Sequence, residues 1–332
     1  MRTSRACRML AATALLAMLT ANAQTQTSRP DQDACTSLVP AAMGGPVPSD
    51  RNLIALRWLS TSNYELTYRG QVFLLDAYFE RGPRNRPTGV VPGEVKRTDA
   101  IFLGHGHFDH MSDAAPIAQR TKAKVYGAQI TIETALKLGL PAEQSQVVVG
   151  GDSLKFPSFT VDVALAQHSS LKPEVLEALG KLFDLDARPA TPAEVAAERE
   201  IRSKGTFAPE VITQGTMAFA FTFDTGFKLV WINSAGPVTD GDRALAQKLG
   251  PVDIAIIAYQ GHPVAETQVP FTLELVKLFR PRIYLPAHHD EIFGTFVDLG
   301  VEPLFEAIAD ALPRTQTIAP LHRRPLCFDI RK

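Results

Sequence analysis

The chain has 332 residues, of which 45% are hydrophobic and 21% charged, with 34 basic side chains against 35 acidic. That balance excludes the basic footprint of a nucleic-acid binder or a polybasic membrane-surface protein, and the apolar content excludes a disordered chain. Twenty-four prolines and 22 glycines fit a loop-rich globular fold, and three cysteines are too few for a disulfide scaffold.

The first segment reads as an export signal. Arg2, Arg5 and Arg8 precede an apolar run over 9–19, and Ala21-Asn22-Ala23 supplies a small-x-small cleavage pattern. The run falls well short of the roughly 20 apolar residues that span a bilayer, so no stable membrane span is expected after cleavage behind Ala23. The expected location is periplasmic or secreted. Export leaves Cys35 and Cys327 as the mature cysteines. In an oxidising compartment they can pair and tie the two ends of the chain together, although the spacing equally allows two unpaired thiols.

Residues 24–50, rich in Gln, Thr, Ser, Pro and Gly, read as an irregular lead-in. Beyond them, short apolar segments at 54–59, 72–75, 100–103, 124–126, 146–149, 160–166, 217–223, 228–232, 254–259 and 282–285 predict strands. Helical periodicity falls at 112–120, 130–138, 242–248, 272–279 and 303–312. Early strands come as hairpins and later ones alternate with helices, which predicts an α/β architecture of paired mixed sheets with helices outside. No internal repeat is evident, and no Pro- or Gly-rich linker divides residues 51–332, which read as a single domain. One stretch breaks the rhythm. Residues 171–210 carry helical patterning interrupted by Pro173, Pro189, Pro192 and Pro209, with short helices expected at 174–182 and 192–203. Thr191 is the expected N-cap of the second and Pro192 its first helical residue. The segment reads either as peripheral decoration or as a lid over the site.

The chemistry concentrates in His105-Gly106-His107-Phe108-Asp109-His110, directly after the strand at 100–103. Three imidazoles and a carboxylate within six residues suit Zn²⁺ and other borderline divalent ions. Gly104 and Gly106 remove side-chain bulk where the backbone must turn. Alternate side chains of such a loop can serve two neighbouring metals.

This motif resembles the His-x-His-x-Asp-His signature of the metallo-β-lactamase superfamily. The likeness extends to Leu56-Arg57-Trp58-Leu59-Ser60 through Leu74-Leu75-Asp76, similar to the opening hairpin of the lactonase- and phospholipase-like branch, and to the strand Thr98-Asp99-Ala100-Ile101-Phe102-Leu103 feeding the motif. The resemblance covers most of residues 53–312 and implies an αββα sandwich with a two-metal site along one edge of the sheets. It implies that His105 and His107 bind one metal, joined by His168 at the end of the strand at 160–166. It implies further that Asp109 and His110 bind a second, joined by His288 in Leu285-Pro286-Ala287-His288.

Many members of that family bridge the metals with an Asp. Asp224 lies between two apolar runs and reads as a hairpin turn. The bridging position then falls in Asn233-Ser234-Ala235-Gly236, with Ser234 in place of the Asp, leaving three protein ligands per metal. His289 and Asp290 adjoin the last expected ligand, where either could orient a ligand imidazole. His262 is expected to line the same face, and His322 to be structural or exposed in a basic tail.

Two adjacent dications can share a water, lower its pKa and hold the resulting hydroxide for attack, with Asp109 orienting that nucleophile. No Gly-x-Ser-x-Gly elbow follows a strand, so metal-activated hydrolysis is favoured over covalent catalysis. The expected activity is hydrolysis of an ester, lactone or phosphodiester bond in a small molecule, with zinc (two ions) or manganese or iron as cofactor. Two alternatives stand beside it. A periplasmic metallo-β-lactamase fits export and Ser234, but His168 is followed by Ser169-Ser170-Leu171, unlike the Gly-His-Thr-x-Gly sequence common in that branch. A non-catalytic metal-binding exported protein would fit the missing bridge.

Overall fold

The computed structural model describes residues 30–169, 177, 189–261, 264–290 and 300–331. The export signal, the helix expected at 174–182 (Glu177 apart) and His262 lie outside the described residues.

Strands β1 (Leu53–Ser60), β2 (Asn63–Tyr68), β3 (Gln71–Leu75), β4 (Ala100–Phe102), β5 (Lys124–Gly127) and β6 (Ser145–Val147) fill the first half of the chain. The second half holds β7 (Ser153–Lys155), β8 (Phe159–Leu165), β9 (Met217–Phe223), β10 (Lys228–Ile232), β11 (Ile254–Ala258), β12 (Ile283–Ala287), β13 (Gln316–Thr317) and β14 (Pro325–Asp329). They build two seven-stranded sheets, ordered β14-β1-β2-β3-β4-β5-β6 and β13-β12-β11-β10-β9-β8-β7. Each sheet runs through three antiparallel pairings and then three parallel ones. The halves therefore repeat one topology that their residues do not betray, because pairing is dictated by patterning and not by particular side chains.

Strict alternation sorts the side chains. Ile54, Leu56 and Trp58 of β1 meet Phe219, Phe221 and Phe223 of β9 and Leu229 and Trp231 of β10 between the sheets. The alternate residues Ala218, Ala220, Val230, Ile232, Ala255 and Ile257 face outward. They are covered by α7 (Asp240–Leu249), α8 (Ala265–Phe279) and α9 (Glu302–Ala311). On the other flank, α3 (Ala114–Thr121) and α4 (Gln129–Lys137) lay Ile117, Ala118, Ile132 and Ala135 over Leu74, Ile101 and Val125. The αββα sandwich expected from the motif resemblance is the fold observed. No helix among the described residues is long and apolar enough to cross a membrane.

The structure differs from the sequence reading at three places. First, β2 is not among the apolar segments read as strands, since Asn63, Glu65 and Thr67 interrupt its apolar residues, yet it completes the opening hairpin that the resemblance implies; all six of its side chains are buried. Second, the lead-in is not wholly irregular: it carries α1 (Pro30–Thr36) and a 3-10 turn over Ala41–Met43. Glu65 explains both departures. Its carboxylate accepts from Ala41 N (2.9 Å) and Ala42 N (2.7 Å) and pairs with Arg57 Nε at 3.2 Å. Arg57 in turn donates to the carbonyls of Ser37 (2.7 Å) and Arg323. A buried ion pair is tolerable when its remaining valences are satisfied, and here they are satisfied by the two ends of the chain. Third, α8 begins at Ala265, seven residues before the expected start, and carries Pro270 inside the helix.

The same ends are joined covalently. Cys35 and Cys327 form a disulfide with Cα atoms 5.7 Å apart, β14 having brought Cys327 opposite Ala55 on β1. Because the bond closes a loop of 292 residues, replacing both cysteines by serine is expected to lower stability by about 2–5 kcal/mol. Urea melts of the oxidised protein and the double variant check this; coincident curves would mean the closure is thermodynamically silent.

Candidate metal centre

The six expected donors come from loops at the carboxyl ends of strands. The motif loop follows β4, His168 follows β8 and His288 follows β12. Strand carboxyl ends are where open α/β sheets place ligands. His107 is the N-cap of α2 (Phe108–Met111), and this single helical turn carries Asp109 and His110 to the other side of the loop. The result is two groups, His105, His107 and His168 in one and Asp109, His110 and His288 in the other, each with donor atoms within 4.8 Å of one another. The groups abut, the His105 and His110 rings lying 3.8 Å apart.

A network behind the donors fixes their orientation. His105 Nδ1 faces Asn233 Oδ1 at 3.1 Å, and His110 Nδ1 faces Asp76 Oδ2 at 2.7 Å. Asn233 Nδ2 donates to the same Asp76 oxygen at 2.8 Å, Ser62 Oγ donates to it at 2.5 Å, and Gly104 N donates to Oδ1 at 2.9 Å. With the Nδ1 atoms engaged, the Nε2 atoms of His105 and His110 turn inward. His105 Nε2 is buried without a hydrogen-bond partner, as is His288 Nδ1. Gly104 is required here by close approach: a Cβ would stand 2.1 Å from the Asn233 side chain. One support and one donor are held in the left-handed region, Asp76 at φ +61° and His288 at φ +64°, backbone strain of the sort that clusters at functional sites. His288 N is tied to Thr61 O at 2.7 Å.

Electrostatics follows from burial and pairing. Burial keeps His105 well below the usual imidazole range, and brings His107 down to about 4 and His168, also depressed by His107, to about 3. These three are therefore neutral, with lone pairs available. Burial opposes charge on His110 too, but Asp109 and Asp76 outweigh it and push that imidazole up to about 10. Burial alone would raise Asp109; His110, at 3.3 Å, and His288, at 3.2 Å, instead hold it well below the carboxylate range. Neutral imidazoles beside an ionised carboxylate, some with orphaned buried nitrogens, fit divalent cations of the zinc, manganese or iron type.

Other expected site residues fall elsewhere. Asp224 is in the β9–β10 turn, accepting from Tyr68 Oη at 2.6 Å and paired with Arg69, as a hairpin residue should be. Ser234 does not touch the donors: its Oγ accepts from Ser169 N (3.0 Å) and contacts Ser169 Oγ (3.2 Å). The reach toward His105 and His110 belongs to its neighbour Asn233, since one step along a strand end exchanges faces. Asp290 does not orient a ligand imidazole directly. It accepts from Thr61 N (2.7 Å) and Arg81 Nη1 (2.7 Å), and so steadies the carbonyl that holds His288. His289 stacks on Trp58 at 4.2 Å, and His322 packs edge-on to the same indole while its Nε2 meets Leu59 O at 3.0 Å. Sequence reasoning passed over Asp76, Asn233 and Ser62 as site residues. Each is a polar residue at the end of an apolar strand or hairpin, the one signal that marks them.

Fold and site together fit a protein of the metal-dependent hydrolase type. The sequence model of the β-lactamase superfamily domain matches residues 71–289, well over half of the chain, and the chain belongs to that superfamily. A metal-dependent hydrolase of Myxococcus xanthus is 27% identical over 277 residues, covering 82% of this chain and 80% of its own. Among solved structures, Igni18, a metallo hydrolase of the archaeon Ignicoccus hospitalis, superposes with a TM-score of 0.56 at 16% identity, covering 83% of this chain and 98% of its own. The metallo-β-lactamase fold protein YhfI of Bacillus subtilis gives 0.53 at 14% identity, covering 83% and 100%. The chain is a metal-dependent hydrolase of this superfamily.

Because Asp76 orients two donors through one carboxylate, Asp76→Asn is expected to weaken metal affinity about 10–100-fold. Asp224→Ala, remote from the centre, should leave it unchanged. Competition with a calibrated chelator measures both; equal affinities for Asp76→Asn and wild type would remove Asp76 from the account.

Proposed function

We propose that the chain is an exported hydrolase of ester, lactone or phosphodiester bonds in small molecules, working with two divalent cations, most naturally zinc. His105, His107 and His168 would hold one ion, and Asp109, His110 and His288 the other, with no bridging carboxylate among the described residues. The observation that carries this reading is the buried, partnerless Nε2 of His105 among donors already oriented from behind. Bound there, the ions supply Lewis acidity and a water of lowered pKa.

The remaining work falls to the chain. Asn233 and Asp76 hold two imidazoles so that no reorganisation is needed during reaction. Asp109 keeps an ionised oxygen between His110 and His288, where it can orient an attacking water. No thiol competes as nucleophile, since the mature cysteines are joined to each other, and the Ser169 and Ser234 hydroxyls contact one another. Export is supported by the disulfide, a bond that persists in oxidising compartments.

The test is initial-rate measurement on the zinc-loaded protein with methyl acetate, γ-butyrolactone, a phosphodiester and a cephalosporin. Turnover of one of the first three is expected, abolished by chelation and reduced about 10²–10³-fold or more by His107→Ala, the lower figures being those ascribed to loss of one electrostatic group. Turnover of the cephalosporin alone would move the protein to the β-lactamase branch. No turnover by fully loaded protein would leave a metal-binding protein without catalysis.

A further inference from the structure

The segment after α5 (Pro192–Arg202) docks directly on the metal loop. Ile201 of α5 joins Tyr78 and Phe108 in a small buried cluster, which seats the helix against the loop. The helix itself is well begun, Thr191 and Glu194 forming a capping box. Three residues beyond its end, Gly205 lies so close to the loop that a Cβ would stand 2.2 Å from Phe108 N. Thr206 N then donates to Gly106 O at 2.8 Å. These contacts fix the next residue, Phe207, whose ring lies 4.9 Å from that of His107 and 6.1 Å from that of Phe108. Yet Phe207 is 63% exposed. A single exposed apolar residue is ordinary on a protein surface. This one is held on a rigid backbone against a metal-site imidazole, with its open side free to cover whatever is bound at that imidazole.

We propose that Phe207 is a specificity-determining residue, forming an apolar wall beside His107 that packs against the non-reacting group of the substrate. The preferred substrates would then carry an aromatic or medium aliphatic group next to the scissile bond. The inference rests on the hydrolase reading given above and narrows its substrate class. It also assigns a task to the segment after β8: its described part carries this ring to the centre, and is more than decoration.

The experiment compares methyl acetate with methyl phenylacetate, both followed by proton release, on zinc-loaded wild type, Phe207→Ala and Phe207→Leu. An aromatic pair is worth enough for roughly a tenfold effect. Phe207→Ala should lower kcat/KM for methyl phenylacetate about that much, mainly through KM, while changing methyl acetate less than about twofold; Phe207→Leu should recover part of the loss. Equal effects on both esters, or none on either, would overturn the proposal. If wild type turns over neither ester, the ester reading fails, and calorimetric binding of phenylacetate to wild type and Phe207→Ala still decides the role of the ring. Tighter binding to wild type upholds it; equal affinity, or no binding to either, overturns it.

Discussion

One buried carboxylate holds the centre together. Asp76 lies at the end of β3 in the first sheet and accepts from Gly104 after β4, from Ser62 in the β1–β2 turn, and from Asn233 after β10 in the second sheet, while facing His110. It thus ties the edges of two sheets to each other and to the imidazoles between them. A carboxylate is suited to this because it offers several acceptor sites and no donor, so each N–H or O–H that meets it is oriented the same way. Its left-handed backbone at φ +61° has a cost of order 1–3 kcal/mol, which the surrounding bonds must outweigh. Without the anion, four groups would lose a partner in a dry site, where an unsatisfied donor costs about 1–3 kcal/mol.

The two-sheet core makes that arrangement possible. Because residues alternate between an aromatic-rich inter-sheet layer and helix-covered outer faces, the register of every strand is fixed by burial. Strand ends therefore arrive at fixed positions, and loops of very different sequence separation, from residue 76 to residue 288, converge. The far edge is secured differently. Glu65 and Arg57 bind the lead-in and the tail, and the Cys35–Cys327 bond closes them. The metal loop is left to be shaped by its own neighbours, including the docked segment through Thr206.

Much of this was legible in the sequence, for physical reasons. The strands are short apolar runs, and the spans expected at 217–223 and 228–232 match β9 and β10 to the residue. The His105–His110 loop declared its chemistry because imidazoles at such density have no packing use. Thr191-Pro192 announced α5 through capping chemistry that is local. What escaped was non-local. Nothing near Glu65 reveals that its charge is met by Ala41 and Ala42, so β2 falls outside the apolar segments read as strands and the lead-in reads as loop. Ser234 turns its hydroxyl to Ser169, whereas Asn233, one residue earlier, reaches His105 and Asp76 from behind; only the three-dimensional register distinguishes the two. Asp290 sat beside a ligand in sequence but bonds to a turn 229 residues away.

The central claim is that six side chains, three and three, form a centre for two ions without a bridging carboxylate among the described residues. Its most direct test is the stoichiometry of divalent metal per chain, by elemental analysis after equilibration with excess zinc and dialysis. Two equivalents are predicted, because both groups are already oriented from behind. One equivalent would show that a group of three lacking a bridge does not hold its ion, and none would contradict the assignment of the site itself.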